Sequence, residues 1–188
     1  RLDLQQVTLV CQDWGGLLGL TLPPDMPERF ERLIVMNTAL AMGQSPGEGF
    51  DQWKAFNRSQ PDMDIAPLMK RATPILTDAE AAAYAAPFPD VTYKAGVRRF
   101  PELVMVSPDM EGVDISKRAA QWWSHDWDGD TFMAIGAADP VLGPPAMAAL
   151  RKLIRHCPEP MIIEDGGHFV QEWGEDIART ALKAFGEL

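Results

Sequence analysis

The sequence predicts an α/β fold: a mostly parallel sheet flanked by helices, with a helical layer inserted into it. Three observations carry this. Short apolar runs, Val7–Cys11, Leu33–Met36, Thr131–Gly136 and Met161–Glu164, recur with helix-forming segments between them. Unbroken apolar runs of that length suit strands covered on both faces, as in parallel sheets built from βα units. The stretch 44–128 departs from this rhythm and is rich in proline and aromatic residues. The segment VTLVCQDWGG ends a β-branched run at a carboxylate, a Trp and two glycines, then leads into GLLGLTLP. That is a strand, a sharp turn and a helix.

Each element follows from its residues. In 1–43, the first part of the core, Val7–Cys11 is a strand, Gly16–Leu22 begins a helix, PPDMP is a loop and Leu33–Met36 is a second strand. In 44–128 the stretch Thr77–Ala86 is a helix. Thr77 caps it and Glu80 stands three residues on, which is a capping box. Asp114–Trp123 is a further helix, and Pro87-Phe88-Pro89 is a joint. This region has the character of a cap laid over a site. In 129–188 the core resumes. Thr131–Gly136 is a strand running into AADPVLGPP, and Ala146–Ile154 is a helix. Met161–Glu164 is a strand running into DGGHF, and Gly174–Phe185 is a closing amphipathic helix. No internal repeat is visible.

Composition excludes several classes. The 188 residues suffice for one domain with a real core. A net charge of −10 argues against nucleic acid, because phosphate binding needs a basic face. No apolar run approaches the roughly 18 residues of a membrane span. Two cysteines, Cys11 and Cys157, form neither a disulfide framework nor a zinc motif. No secretory leader pattern opens the chain, so a reducing, cytoplasmic setting is expected.

The candidate chemistry starts at Asp13. A nucleophile elbow reads small-x-nucleophile-x-small. Cys11 and Gly15 are the small residues here, with Gln12 and Trp14 between them and Asp13 as nucleophile. A carboxylate attacks an sp3 carbon that bears a leaving group, and the product is an ester of the enzyme. Asp139 and His168 each follow the end of another predicted strand. In open α/β sheets the ligand site lies outside those ends. Taken singly, Asp139 reads as well as a turn residue before Pro140 and His168 as a solvated loop residue, while the two glycines after Asp13 leave a plain helix cap as its lesser alternative. Together, in the order nucleophile, acid, histidine, they read as a hydrolytic relay. His125 and His156 lack that context and read as surface residues.

An indole next to the nucleophile supplies an N–H donor and no acceptor, which suits a departing anion. Trp14 therefore reads as an anion holder, with a packing role as the alternative. A second donor is expected from the cap. Trp53 is the first choice, and Trp122, Trp123 and Trp127 are rivals.

The segments QDWGG, AYAAPFPDVTYKAGVRRFP, GAADPVLGPP and EDGGHFVQEWGE together resemble the haloalkane dehalogenases of the α/β-hydrolase superfamily. The resemblance spans essentially the whole chain. It implies an α/β-hydrolase fold with a helical cap, Asp13 as nucleophile, Asp139 as triad acid, His168 as general base and Trp14 as a halide-binding residue. Some members carry a further Trp where this chain reads LMKRATPILT, so the second halide donor is assigned to Trp53. The implied partners are a small haloalkane, water and halide, with no cofactor, metal, nucleic acid or membrane.

The resemblance also implies an N-terminal segment of the same fold, outside this chain, of roughly a hundred residues. It would carry the first strands and an HGxP-type loop with one oxyanion-hole N–H. Three rival readings stand beside this one. An epoxide hydrolase would draw its acids from Tyr84 and Tyr93. A fluoroacetate-type dehalogenase would use Arg71, Arg98 or Arg99. The third is an inactive fragment that needs its N-terminal half.

Overall fold

In a computed structural model, which describes residues 2–188, four parallel strands pair in chain order: β1 (Val7–Gln12), β2 (Phe30–Met36), β3 (Asp130–Gly136) and β4 (Met161–Ile163). The register sets Cys11 beside Val35, Val35 beside Met133, and Ala134 beside Met161. Side chains alternate faces along a strand. Leu33, Val35, Met133 and Ile135 therefore share one core cluster, and Ile34, Met36, Phe132 and Ala134 share another. Because both faces are covered, the central strands read as unbroken apolar runs. At β1 the alternation returns: Cys11 is buried, while Val10 is 57% exposed. Val10 pairs with Ile34 and so lies on that residue's face. The cluster there reaches β2, β3 and β4 but not β1.

Helices α6 (Val113–His125) and α7 (Pro144–Leu153) cover the first face with Ala119, Ala120, Trp123, Met147 and Leu150. Helix α8 (Gly174–Ala184) covers the other with Ile177 and Ala181. The short helix α1 (Trp14–Gly19) follows β1 directly. PPDMP forms two single 3-10 turns, Pro23–Asp25 and Pro27–Arg29.

Between β2 and β3 lie α2 (Glu48–Ser59), α3 (Ile65–Ala72), α4 (Asp78–Ala85) and α5 (Ala95–Leu103), followed by α6. The α4 capping box forms: the Glu80 N–H donates to Thr77 Oγ1, and the Thr77 N–H donates to the Glu80 carboxylate. Helices α2–α5 roof a cavity above the carboxyl ends of the strands. Helix α6, from the same stretch of sequence, packs with α7 on the sheet instead. The Trp122, Trp123 and Trp127 rings pack on one another in that layer, with centroids 4.8–5.8 Å apart. Among the described residues no helix is long and apolar enough to cross a membrane.

Candidate active site

Asp13 sits between β1 and α1 at φ 48° and ψ −125°. Such a backbone costs a non-glycine residue on the order of 1–3 kcal/mol, so its surroundings must hold it. The Asp13 N–H donates to Asn37 O at 3.0 Å. Its carbonyl accepts from Gly16 N at 3.0 Å, Leu17 N at 3.3 Å and Thr38 Oγ1 at 2.6 Å. A Cβ on Gly16 would stand 2.0 Å from Thr38 Oγ1, so only glycine lets Thr38 reach the elbow. A Cβ on Gly15 would meet Cys11 Cβ at an ordinary 3.8 Å. The tight position of this elbow is Gly16 rather than Gly15.

Asp13, Asp139 and His168 converge. His168 Nε2 lies 3.5 Å from Asp13 Oδ1, and its Nδ1 lies 2.9 Å from Asp139 Oδ2. The Asp139 side chain is fully buried. Its Oδ1 accepts from the Val141 N–H at 2.8 Å, and its Oδ2 also accepts from Asn37 Nδ2 at 2.9 Å. Burial by itself would push this carboxyl up. The His168 hydrogen bond and charge, then Asn37 and Val141, outweigh burial and hold it below the usual carboxylate range. Burial likewise disfavours a charged His168, but hydrogen bonds to Asp13 and Asp139, and their charges, outweigh that and raise it to about 10. The two carboxylates on either side of His168 therefore favour its protonated form. The loop that carries it is tied to β1, since Gln12 Nε2 donates to His168 O at 2.8 Å. It also abuts the roof: a Cβ on Gly167 would stand 2.2 Å from Ala72 O.

Asp13, Trp14, Trp53 and His168 line one cavity of about 1190 Å³, with Leu17 and Phe50 among its apolar walls. Asp139 is not part of the lining and stands behind His168. Trp14 and Trp53 pack against the same cluster of Leu17, Phe50 and Val104, and Phe100 meets Trp14 edge-on with centroids 4.9 Å apart. No described residue accepts a hydrogen bond from either indole N–H, whereas Trp123 donates to Leu20 O at 2.7 Å and Trp127 to Thr131 Oγ1 at 2.9 Å. The latter two donors are occupied under the sheet, and Trp122 packs beside them outside the cavity lining.

The groups wanted by the rival readings are placed less well. Tyr84 lines the cavity, but its hydroxyl donates to Glu172. Tyr93 is 60% exposed and outside the lining. Arg71 lines the cavity and stacks over Phe56, whereas Arg98 is spent on Pro61 O and Val91 O, and Arg99 is not in the lining. His125 and His156 are exposed, away from the cavity. Burial pushes the Cys11 thiol up to about 12, so it stays protonated at neutral pH. Among the described residues no cluster of three or more His, Cys, Asp or Glu could hold a metal.

Asn37 and Thr38 belong to the site and are absent from the residues that the sequence singles out. One signal marks them: they directly follow β2, the strand-end position that Asp13, Asp139 and His168 occupy on the other three strands.

Residues 1–175 match the family model described as the alpha/beta hydrolase fold. The chain is 38% identical over 188 residues to a haloalkane dehalogenase of Psychrobacter cryohalolentis, covering 97% of this chain and 61% of that protein. It is 40% identical over 190 residues to haloalkane dehalogenase 1 of Mycobacterium tuberculosis, with the same coverage of 97% and 61%. Among solved structures, the haloalkane dehalogenase DpaA from Paraglaciecola agarilytica NO2, described as tetrameric, superposes with a TM-score of 0.95 at 47% identity. That match covers 100% of this chain and 63% of the other. The chain thus spans about three-fifths of the length of these relatives.

Proposed function

The chain belongs to the alpha/beta hydrolase fold family, and on that premise we propose that the whole protein is a haloalkane dehalogenase, converting a haloalkane and water to an alcohol, halide and a proton. One observation carries the reading. The Asp13 carboxylate opens into a largely apolar cavity that it shares with two indoles, Trp14 and Trp53, whose N–H groups have no acceptor among the described residues. Apolar walls suit a small, weakly polar substrate. The similarity to proteins named haloalkane dehalogenase supports the same reading.

Asp13 attacks the carbon that bears the halogen. A C–O bond forms as the carbon–halogen bond breaks, and the electron pair leaves with the halide. Indole N–H bonds to that halide strengthen as charge develops, so they stabilise the transition state more than the ground state. The product is an alkyl ester on Asp13. Esterification removes the Asp13 charge, and with it one of the two carboxylates that hold the proton on His168. His168 then releases that proton and accepts one from water as the water attacks the ester carbonyl carbon. Asp139 keeps the ring oriented. The Trp14 backbone N–H is a first-turn donor with no intrahelical acceptor, and it receives the oxyanion. Collapse breaks the bond from the carbonyl carbon to the alkyl oxygen, that oxygen takes the second proton of the water, and the alcohol leaves with Asp13 restored as a carboxylate. The two free cysteines fit a cytoplasmic setting.

Epoxide hydrolysis is the weaker reading. It needs an acid on the leaving oxygen, and the Tyr84 hydroxyl is engaged by Glu172. The test is halide release by the whole protein from short chloro-, bromo- and iodoalkanes. Asp13→Asn is expected to abolish release. His168→Phe is expected to gain the mass of the alkyl group on Asp13. Halide release by Asp13→Asn at the unmodified rate would overturn the reading.

A further inference from the structure

We propose that Asn37 is a positioning residue: it locks the Asp139 carboxylate onto His168, ties that carboxylate to the Asp13 elbow, and so serves ester hydrolysis rather than ester formation. The inference rests on the two-step reaction proposed above.

Asn37 is fully buried, and its side chain is fully engaged. Nδ2 donates to Asp139 Oδ2 at 2.9 Å and to Gly136 O at 3.1 Å, and Oδ1 accepts from Gly136 N at 2.8 Å. Its backbone carbonyl accepts from the Asp13 N–H at 3.0 Å. One residue therefore bonds the nucleophile's backbone on one side and the acid's carboxylate on the other. It adopts a positive φ of 21° to do so, a region that asparagine tolerates better than most side chains.

The Asp139 carboxylate is held at three points. Val141 N–H fixes Oδ1, while Asn37 and His168 share Oδ2. Rotation of the carboxylate would break the Val141 and Asn37 bonds together. Without the amide, one point of restraint is gone and Oδ2 is free to swing from the imidazole. A packing residue would need no donor aimed at a carboxylate, whereas a buried carboxylate needs donors to remain charged. The attack by Asp13 on carbon makes no use of His168, but water activation does. Loss of Asn37 should therefore separate the two steps.

The experiment has two arms. In the first, halide and protein mass are followed after rapid mixing with a bromoalkane. Asn37→Ala is expected to keep an initial burst of halide while steady turnover falls about 10- to 100-fold, the usual effect of losing an orienting partner. Alkylated Asp13 should accumulate. Asn37→Ser leaves a hydroxyl near Gly136 but is too short to reach Asp139, and it should give the same split. Burst and turnover falling together in a folded variant would overturn the proposal.

The second arm uses the unmodified protein without substrate, so it is independent of variant folding and of the reaction. The Asn37 side-chain amide protons should be protected from exchange and should shift as Asp139 and His168 titrate. Amide protons that exchange freely, or that ignore that titration, would overturn the role of Asn37. Absence of any halide release by the unmodified protein would instead overturn the proposed reaction.

Discussion

Asp13→Asn is nearly isosteric and removes one charge beside His168. Asp13 Oδ1 stands 3.5 Å from Nε2. At that distance two unit charges interact by about 4.7 kcal/mol at an effective dielectric of about 20. The Asp13 side chain is 39% exposed, so water screens the pair and the full figure does not apply. A retained share of about 1.4–2.8 kcal/mol corresponds to about one to two pH units. His168, now raised to about 10, should fall by that amount in the variant. The assay is an NMR titration of the His168 ring protons. An unchanged or raised pKa would refute the account in which Asp13 helps hold the proton and its esterification releases it. Stability should respond with a defined sign. His168 is raised in the folded chain, from 6.5 to about 10, so its contribution is complete below pH 6.5 and lost as pH climbs to about 10. Chemical denaturation should therefore show the largest penalty of Asp13→Asn below pH 6.5, shrinking toward pH 10.

Gly16→Ala forces a Cβ to within 2.0 Å of Thr38 Oγ1, so urea denaturation should show a loss of about 1–3 kcal/mol and a displaced elbow. Trp14→Phe and Trp53→Phe each remove a cavity donor that has no acceptor among the described residues. Halide binding, followed by quenching of the remaining tryptophans, should weaken about 5- to 15-fold per substitution, while Trp127→Phe, whose donor is spent on Thr131, should leave it unchanged.

What was legible in the sequence depended on how local its physics was. β2 and β3 stood out because Leu33–Met36 and Phe132–Ile135 are covered on both faces and tolerate no polar residue. The α4 start stood out because Thr77 and Glu80 satisfy one another within a single turn. Helices α2, α3 and α5 were not separately visible. Gly49, Pro67 and Pro101 lie inside them, and their burial is set by the roofed cavity more than by their own pattern. The helix over Asp114–Trp123 was legible, but its layer was not. Residues such as Ala119 and Trp123 suit a cap and a sheet face equally, and only packing against Leu33 and Val35 decides. Asp13, Asp139 and His168 could be singled out because each is a reactive residue at a strand end. Asn37 could not, because an amide there also reads as an ordinary turn residue, and its meaning lies in a carboxylate 102 positions away.

The arrangement follows from one constraint. Strands buried on both faces cannot carry polar side chains, so the first place a parallel sheet can offer them is just beyond its carboxyl edge. All four strands use it: Asp13 after β1, Asn37 and Thr38 after β2, Asp139 after β3 and His168 after β4. Because β1 to β4 pair in chain order, these residues form an arc in which each can reach the next. Thr38 holds the Asp13 carbonyl at 2.6 Å, Asn37 reaches Asp139 at 2.9 Å, and Asp139 reaches His168 at 2.9 Å. His168 closes the arc by returning to Asp13 at 3.5 Å, its longest contact. In the proposed reaction Asp13 and His168 must part as the ester forms, and the weakest closure falls between them, while the short bonds fall where that reaction requires nothing to move.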